Sequence, residues 1–178
     1  MKQPNYEDIL HDLEIAVVGD ITTLEVERER CARDTSLFYV KPEIVVFPRN
    51  REDITNLLAY VTEARKNDID ISVSFRAAGT CMTGGSLSAS IIADTTKYMN
   101  HVTEVTDLYA SSEPGVFYRD FEKKTLSHGW IMPSYPASRE LAAIGGIVSN
   151  NSGGEKTLTY GKTEKYVQSL DVVYANGE

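Results

Sequence analysis

The most constraining feature of this sequence is a glycine-rich segment, residues 76–88, that begins where an alternating strand pattern at residues 69–75 ends. Glycine allows positive φ angles and lets the backbone approach a ligand closely. Successive N–H groups in such a loop form a concave anion site, and the hydroxyls of Thr80, Thr83 and Ser86 can donate to phosphate oxygens. The spacing matches neither GxGxxG nor a P-loop. The segment therefore predicts an anion-binding loop or, as the alternative, a flexible connection between strands.

A second glycine-rich segment covers residues 144–154 and follows a Pro-Ala-Ser sequence at residues 136–138. Two glycine pairs flank Asn150 and Asn151. An asparagine side chain offers both a donor and an acceptor, which suits a heteroaromatic ring or a ribose. A run of tight turns would explain the glycines but leaves the asparagine pair unexplained. The segment is therefore a second candidate for ligand binding.

The charge balance argues against nucleic acid as the main partner. The 178 residues include 18 Lys and Arg against 26 Asp and Glu, a net charge of −8, whereas binding a phosphate backbone requires concentrated basic side chains. A few backbone N–H groups can still hold one anionic small molecule. Arg28, Arg30 and Arg33 form a local basic cluster, which we interpret as a solvated helical face, with contact to an anionic substrate or a partner domain as the alternative.

Cysteine usage and the N-terminal pattern bear on the compartment. Cys31 and Cys81 lie far apart in sequence, which predicts free thiols and a cytoplasmic protein. The first ten residues lack the basic start and apolar stretch of a signal peptide, and no apolar run is long enough to cross a bilayer. We therefore expect a cytoplasmic protein, with peripheral membrane attachment of the full-length protein as an open alternative.

Helix and strand patterns alternate along the chain with irregular spacing. The clearest helix begins at Asn50 and ends near Asn67, with Asp53 where a capping box has its acid. An apolar run at residues 167–174, followed by the turn signal Asn176-Gly177, predicts a last strand without a return strand. The other predicted elements are helices at residues 5–18, 25–34 and 117–128 and strands at residues 43–47, 69–75, 90–94, 102–105 and 108–111. Such a mixture indicates an α+β or α/β fold in two lobes divided near residue 100.

Several short motifs occur in one order: Arg-x-x-Gly-Thr with Gly-Gly, Glu-Pro-Gly-Val, Pro-Ala-Ser, Ile-Gly-Gly, Asn-Asn-x-Gly-Gly and Tyr-Gly-x-Thr. Over residues 38–178 this order resembles the FAD-binding domain of the vanillyl-alcohol oxidase type, also named after p-cresol methylhydroxylase. Within that family it is most similar to D-lactate dehydrogenases and glycolate oxidase subunits. The resemblance implies an α+β fold with an N-terminal helical segment (1–37), a small α/β lobe (38–100) and an incomplete, mainly antiparallel α+β lobe (101–178).

The resemblance also implies FAD as the cofactor, with its pyrophosphate on the first glycine-rich loop and its ribityl and ring-proximal part along the second segment. Some family members link FAD covalently through a histidine at the position of Thr80, so threonine there implies non-covalent FAD. We interpret the adjacent Cys81 as a small packing group. The implied cofactor-binding residues are Arg76, Ala77, Ala78, Gly79, Thr80, Cys81, Met82, Gly84, Gly85, Ser86, Pro136, Ser138, Gly145, Gly146, Ser149, Asn150, Gly153, Gly154, Tyr160 and Gly161.

The activity implied for the whole protein is oxidation of a 2-hydroxy acid, of the D-lactate or glycolate type, to a 2-oxo acid. In this family the base and the substrate contacts lie in a later cap domain, so no catalytic residue is assigned to this chain. The three histidines lack metal-ligand spacing, and no metal site is predicted. The alternatives are another alcohol substrate, a non-catalytic FAD-binding subunit, and a nucleotide-binding domain without flavin.

Overall fold

Two fully buried, mostly apolar strands form the centre of the first of two sheets in the computed structural model, which describes all 178 residues. The strands are β1 (Asp20–Thr22), β2 (Ile44–Phe47), β3 (Val73–Arg76), β4 (Ile91–Asp94), β5 (Val102–Val105) and β6 (Ala110–Ser112). The first sheet has the order β1-β2-β4-β3, with β2, β4 and β3 parallel and β1 antiparallel at the edge. Every residue of β2 and β4 is buried, as is usual for parallel strands covered on both faces.

The helices cover both faces of this sheet and support the second one. They are α1 (Tyr6–Ala16), α2 (Glu25–Cys31), α3 (Arg51–Lys66), α4 (Tyr118–Leu126), α5 (Ile144–Ser149) and α6 (Thr157–Tyr160), followed by a 3₁₀ turn at Thr163–Lys165. Helices α1 and α3 pack on one face of the first sheet through Leu13, Leu57 and Val61. Cys31 at the end of α2 packs with Val45 on the other face. The predicted mixture of helices and strands is confirmed. No helix is both long enough and apolar enough to span a membrane.

The N-terminal segment, residues 1–37, contributes to the first core and to the first sheet. Its helix α1 carries an apolar stripe that includes Ile9 and Leu13, and both side chains are buried against α3 and the sheet. It also supplies the edge strand β1, which pairs with β2 from Asp20↔Phe47 to Thr22↔Val45. The physical reason is burial, because a short amphipathic helix gains its stability by covering apolar surface.

Only one of the two hydrogen bonds of the capping box predicted at the start of α3 is formed. Asn50 Oδ1 accepts the N–H of Asp53 at 3.0 Å, as a capping residue should. The Asp53 carboxylate does not return to Asn50. It is buried and accepts the N–H groups of Arg49 (2.8 Å), Val18 (2.8 Å) and Gly19 (3.0 Å). Asp53 therefore joins α3 to the turn between α1 and β1, a contact that local pattern could not reveal.

We expect Asp53→Ala to lower the free energy of unfolding by about 3 kcal/mol, because it leaves three partly buried N–H donors without an acceptor. Chemical denaturation of the chain measures this change. Asn5→Ala is the matched control, since Asn5 caps α1 at an exposed position and such a cap contributes about 1 kcal/mol. Equal losses for the two variants would contradict the role given to Asp53.

The second core is formed by helices and by an antiparallel strand pair. Strands β5 and β6 pair antiparallel, and α4 buries Tyr118 and Phe121 against Tyr135 and Ile147. The Tyr118 hydroxyl donates to the Met132 carbonyl at 2.9 Å, and burial raises the pKa of this phenol. The strand pair is antiparallel, as predicted for the second lobe. The boundary at residue 100 stays a prediction.

Three elements differ from the sequence prediction. The glycine-rich residues 144–149 form helix α5 instead of a loop, because Ile147 is drawn into the second core. The strand predicted at 69–75 is shorter and shifted, to Val73–Arg76. The strand predicted at 167–174 is wrong, since these residues have no regular structure and no strand pairs with them. An apolar run becomes a strand only where a neighbour accepts its backbone hydrogen bonds.

Candidate functional site

The two glycine-rich segments line one cavity of about 1210 Å³. Its walls include Phe75–Cys81 from the first segment and Gly145 and Gly146 from the second, together with β6 and residues 165–173. Single-ligand pockets commonly occupy about 300–1000 Å³, so this cavity is large enough for an elongated ligand. The first segment leaves the carboxyl end of β3, where ligands bind in open parallel sheets.

The side chain that ends β3 is a buried arginine. Arg76 pairs in register with Asp94 of β4, and both residues are buried. The Arg76 backbone carbonyl accepts the Thr95 N–H at 2.9 Å, which fixes the end of the strand. Its Nη1 atom, however, has no hydrogen-bond partner within the chain. A buried charged donor without an acceptor is costly. Because Arg76 also lines the cavity, its guanidinium is the candidate partner for an anion bound there.

Gly79 folds the first loop back over that guanidinium. Its φ is +69°, and a Cβ at this position would overlap Nη2 and Cζ of Arg76. Any other residue at this position would both strain the backbone and displace the guanidinium. The loop and Arg76 thus form one unit in which the backbone lies directly against the charged group.

Two adjacent glycines of α5 have opposite surroundings. A Cβ on Gly145 would lie 2.7 Å from Cβ of Pro114 and 2.8 Å from its carbonyl oxygen, so glycine is required there by packing. A Cβ on Gly146 would meet no atom within 4 Å, and Gly146 lines the cavity. Gly146 therefore leaves open space on the cavity wall that a side chain would fill.

The asparagine pair divides into two roles. Asn150 ends α5 and lines the cavity. Asn151 lies at φ +45°, donates from Nδ2 to Glu164 at 2.7 Å and accepts the Glu164 N–H at 2.9 Å. Asn151 therefore joins α5 to the 3₁₀ turn, so its side chain has a structural role.

The predicted cofactor-binding residues separate into a cavity group and an outer group. Those on the cavity wall are Arg76, Ala77, Ala78, Gly79, Thr80, Cys81, Gly85, Ser86, Gly145, Gly146, Ser149 and Asn150. Those outside the wall are Met82, Gly84, Pro136, Ser138, Gly153, Gly154, Tyr160 and Gly161. Packing explains some of the outer group, since a Cβ on Gly154 would overlap the Tyr135 carbonyl oxygen. Cofactor contact by individual residues stays a prediction.

Sequence reasoning missed three contributors to the cavity and its loop. Residues 165–173, predicted mainly as a strand, form part of the cavity wall instead. Trp130, the single tryptophan of the chain, also lies on the wall. The turn Asp34–Ser36 contacts the first glycine-rich loop from its outer side. These residues join the site only through contacts between segments that are distant in sequence. A single tryptophan next to a glycine was nevertheless a usable sequence signal for Trp130.

The arginine cluster is engaged within the chain. Arg28 Nη2 lies 2.6 Å from Glu43 Oε2 and its Nε donates to the Pro42 carbonyl at 2.7 Å. Arg30 pairs with Glu27 at 2.8 Å and lies 2.9 Å from Asp94. The Arg33 guanidinium lies 4.8 Å from the centre of the Tyr39 ring. These partners favour the structural interpretation over contact with an anionic substrate.

The two thiols differ in environment. The Thr83 hydroxyl, 3.1 Å from Sγ, and nearby backbone N–H groups lower the pKa of Cys81. Burial raises the pKa of Cys31, whose side chain is wholly inside the protein. Thiolate is the reactive form of cysteine, so we expect Cys81 to react in the native chain before Cys31 does.

We expect iodoacetamide to alkylate Cys81 alone in the native chain, with a reaction rate that rises at a lower pH than for an ordinary thiol. Thr83→Val removes the hydrogen bond that favours the thiolate and should move the rate profile to higher pH. Mass spectrometry after timed alkylation identifies the modified residue and gives the rate. Alkylation of Cys31 at a similar rate, or an unmoved profile in Thr83→Val, would contradict this assignment.

Comparison with known proteins addresses the family directly. Residues 42–178 match the family described as FAD binding domain. Glycolate oxidase subunit GlcD of Bacillus subtilis is 35% identical over 147 residues, covering 81% of this chain and 30% of that protein. D-2-hydroxyglutarate dehydrogenase of Haemophilus influenzae is 30% identical over 176 residues, covering 96% of this chain and 17% of that protein. The chain thus spans less than a third of the length of these relatives.

The fold has a counterpart among solved structures. 6-Hydroxy-D-nicotine oxidase from Arthrobacter nicotinovorans superposes with a TM-score of 0.77 at 16% identity, covering 92% of this chain and 35% of that one. At this identity the likeness concerns the fold, which agrees with the two-lobed α+β fold that the family resemblance implied. Because the family match extends over residues 42–178, the chain belongs to the FAD binding domain family, as the order of its glycine-rich motifs predicted.

Proposed function

We propose that the chain binds FAD non-covalently in the cavity between its two glycine-rich segments. We further propose that the whole protein uses this FAD to oxidise a 2-hydroxy acid to a 2-oxo acid. The observation that carries the proposal is the convergence of residues 76–81 and 145–150 on one large cavity, with an unpartnered buried arginine nitrogen at its wall. An elongated anionic dinucleotide matches both the volume of this cavity and its charged donor.

The residues present fit the pyrophosphate part of FAD. Arg76 offers Nη1 as a charged donor, and hydrogen bonds between charged groups and phosphate are among the stronger ones in proteins. The Gly79 turn brings the backbone against the same guanidinium, so backbone N–H groups and a positive charge lie on one loop. We infer that this loop holds the pyrophosphate.

The second segment fits the rest of the cofactor. Gly146 leaves its side of the wall open, which allows a flat or extended group to lie against α5. Ser149 donates its hydroxyl to the Gly145 carbonyl at 2.8 Å, so its oxygen retains the capacity to accept a bond. Asn150, at the end of α5, offers a donor and an acceptor on the same wall. We infer that these residues contact the ribityl and ring-proximal part.

Non-covalent attachment is supported by the side chains of the cavity. Thr80 occupies the position where a histidyl linkage would require histidine, and its hydroxyl does not form such a bond. The three histidines of the chain are His11, His101 and His128, and all lie outside the cavity wall. Acid precipitation of the FAD-loaded protein should therefore leave all flavin in the supernatant.

The substrate class rests on the relatives. One is a glycolate oxidase subunit and another a D-2-hydroxyglutarate dehydrogenase, and both names denote a 2-hydroxy acid. When bound, FAD supplies the acceptor for the substrate hydride. The residues of this chain bind and orient the cofactor, and none is assigned to proton transfer.

Cys31 and Cys81 are both free thiols, which supports the proposed location in the reducing cytoplasm.

The chain carries its own probe for the cofactor test. Trp130 is its single tryptophan and lies on the cavity wall, so bound flavin should quench its fluorescence. Titration with FAD should give saturable quenching, while ADP, which shares the pyrophosphate, should compete. Absence of both quenching and a change in the flavin absorption bands would overturn the cofactor site.

The reaction is tested separately on the full-length protein. Loaded with FAD, it should bleach its flavin absorption with D-lactate, glycolate or D-2-hydroxyglutarate under anaerobic conditions. Bleaching only by alcohols without a carboxylate would favour the alternative that the protein acts on another alcohol. A stable yellow protein that no alcohol or hydroxy acid reduces would favour a non-catalytic FAD-binding subunit.

A further inference from the structure

A three-residue turn from the N-terminal segment contacts the outer side of the first glycine-rich loop. The turn Asp34–Ser36 lies between α2 and β2, outside the residues 42–178 that match the family. The N–H of Thr35 donates to the Cys81 carbonyl at 3.1 Å. The Thr35 hydroxyl oxygen lies 3.0 Å from the Thr80 carbonyl oxygen and 2.9 Å from that of Cys81. One residue thus engages two consecutive carbonyl groups of the loop.

This contact fixes the direction of two peptide groups. In a trans peptide the C=O of one residue and the N–H of the next point in opposite directions. The carbonyls of Thr80 and Cys81 face Thr35, so the N–H groups of Cys81 and Met82 face away from it. Neither N–H donates to an acceptor within the chain. Thr80 and Cys81 line the cavity, whereas Thr35 does not.

A second contact holds the other end of the loop to the same turn. The Ser86 hydroxyl donates to Asp34 Oδ2 at 3.3 Å, and Asp34 Oδ1 accepts the Ser36 N–H at 2.8 Å. Ser86 is buried. The loop is therefore tied to the turn near Thr80 and again at Ser86, which limits how far its backbone can rotate.

We propose that Thr35 is a positioning residue that turns the Thr80–Cys81 peptide group so that the Cys81 N–H faces the cofactor pyrophosphate. The inference rests on the proposed placement of FAD, because it assigns an orientation to a donor of that same site. Binding is stronger when donors are already oriented before the ligand arrives, since less conformational freedom is lost on binding. A residue outside the family match thus contributes to the cofactor site through the backbone.

The test compares three variants in the whole chain by FAD titration of Trp130 fluorescence. Thr35→Val keeps the shape and the N–H but removes the hydroxyl, and we expect its Kd for FAD to rise about tenfold. Thr35→Ser restores the hydroxyl and should return the Kd to within about twofold of the wild type. Thr62→Val is the matched control, because its hydroxyl donates to the Ala175 carbonyl away from the loop.

The affinity for ADP distinguishes a positioning role of Thr35 from a purely structural one. Thr35→Val should weaken the binding of ADP and of FAD by the same factor. The melting temperature of the ligand-free chain should stay that of the wild type, since Thr35 is exposed. Wild-type affinity in Thr35→Val, or equal loss in Thr35→Ser, would overturn the proposal. A wild-type chain that binds neither FAD nor ADP would instead overturn the cofactor site itself, so the two failures are distinguishable.

Discussion

Gly146→Val should reduce the affinity of the chain for FAD by at least about a hundredfold without unfolding the chain. Space on the cavity wall is the reason, because a Cβ at Gly146 meets no atom within 4 Å and a branched side chain would occupy the volume left for the ligand. The fold should tolerate it, since valine is not a poorer helix former than glycine. Trp130 quenching measures the affinity, and thermal melting of the ligand-free chain measures the fold.

Gly145→Ala is the matched comparison for this variant. It adds a single methyl group at the neighbouring residue, where the Cβ would press on Pro114 at 2.7 Å. We expect it to lower the melting temperature of the ligand-free chain, which Gly146→Val should not do. FAD affinity in Gly146→Val equal to that of the wild type would show that the cofactor does not lie against α5.

Arg76→Met should weaken FAD binding by on the order of ten- to a hundredfold, the range expected when a charge-assisted hydrogen bond is lost. Methionine retains most of the buried stem and removes only the charged end. Because Nη1 of Arg76 has no partner within the chain, the ligand-free protein loses no hydrogen bond at that atom. We therefore expect its free energy of unfolding to fall less than that of Asp53→Ala, which leaves three N–H donors without an acceptor.

Arg33→Met is the control for the change in net charge, since Arg33 is exposed beside Tyr39 and lies outside the cavity wall. It should bind FAD as the wild type does. Raising the salt concentration should lower the FAD affinity of the wild type more than that of Arg76→Met, because salt screens the interaction between the guanidinium charge and the pyrophosphate. An Arg76→Met variant with wild-type affinity and salt dependence would exclude this guanidinium from the site.

Continuous apolar runs and glycine patterns were sufficient for the main elements. The mostly apolar runs at 43–47 and 90–94 predicted strands, and the apolar face after Asn50 predicted α3, because burial is reflected in the local order of apolar side chains. The two glycine-rich segments predicted a ligand site for the same kind of reason, since backbone exposure is a property of glycine itself. Their order along the chain also predicted the family.

Partners that are distant in sequence were decided by the tertiary structure alone. Asp53 caps a turn 34 and 35 residues away, and Thr35 holds carbonyls 45 and 46 residues away. The apolar run at 167–174 found no neighbouring strand, and the glycines at 145 and 146 took opposite roles only because Pro114 lies beside one of them. A residue's own chemistry sets which contacts it can make, so the sequence determined the central strands β2 and β4, helix α3 and the family. Which contact is made depends on the segment that the folded chain brings next to it.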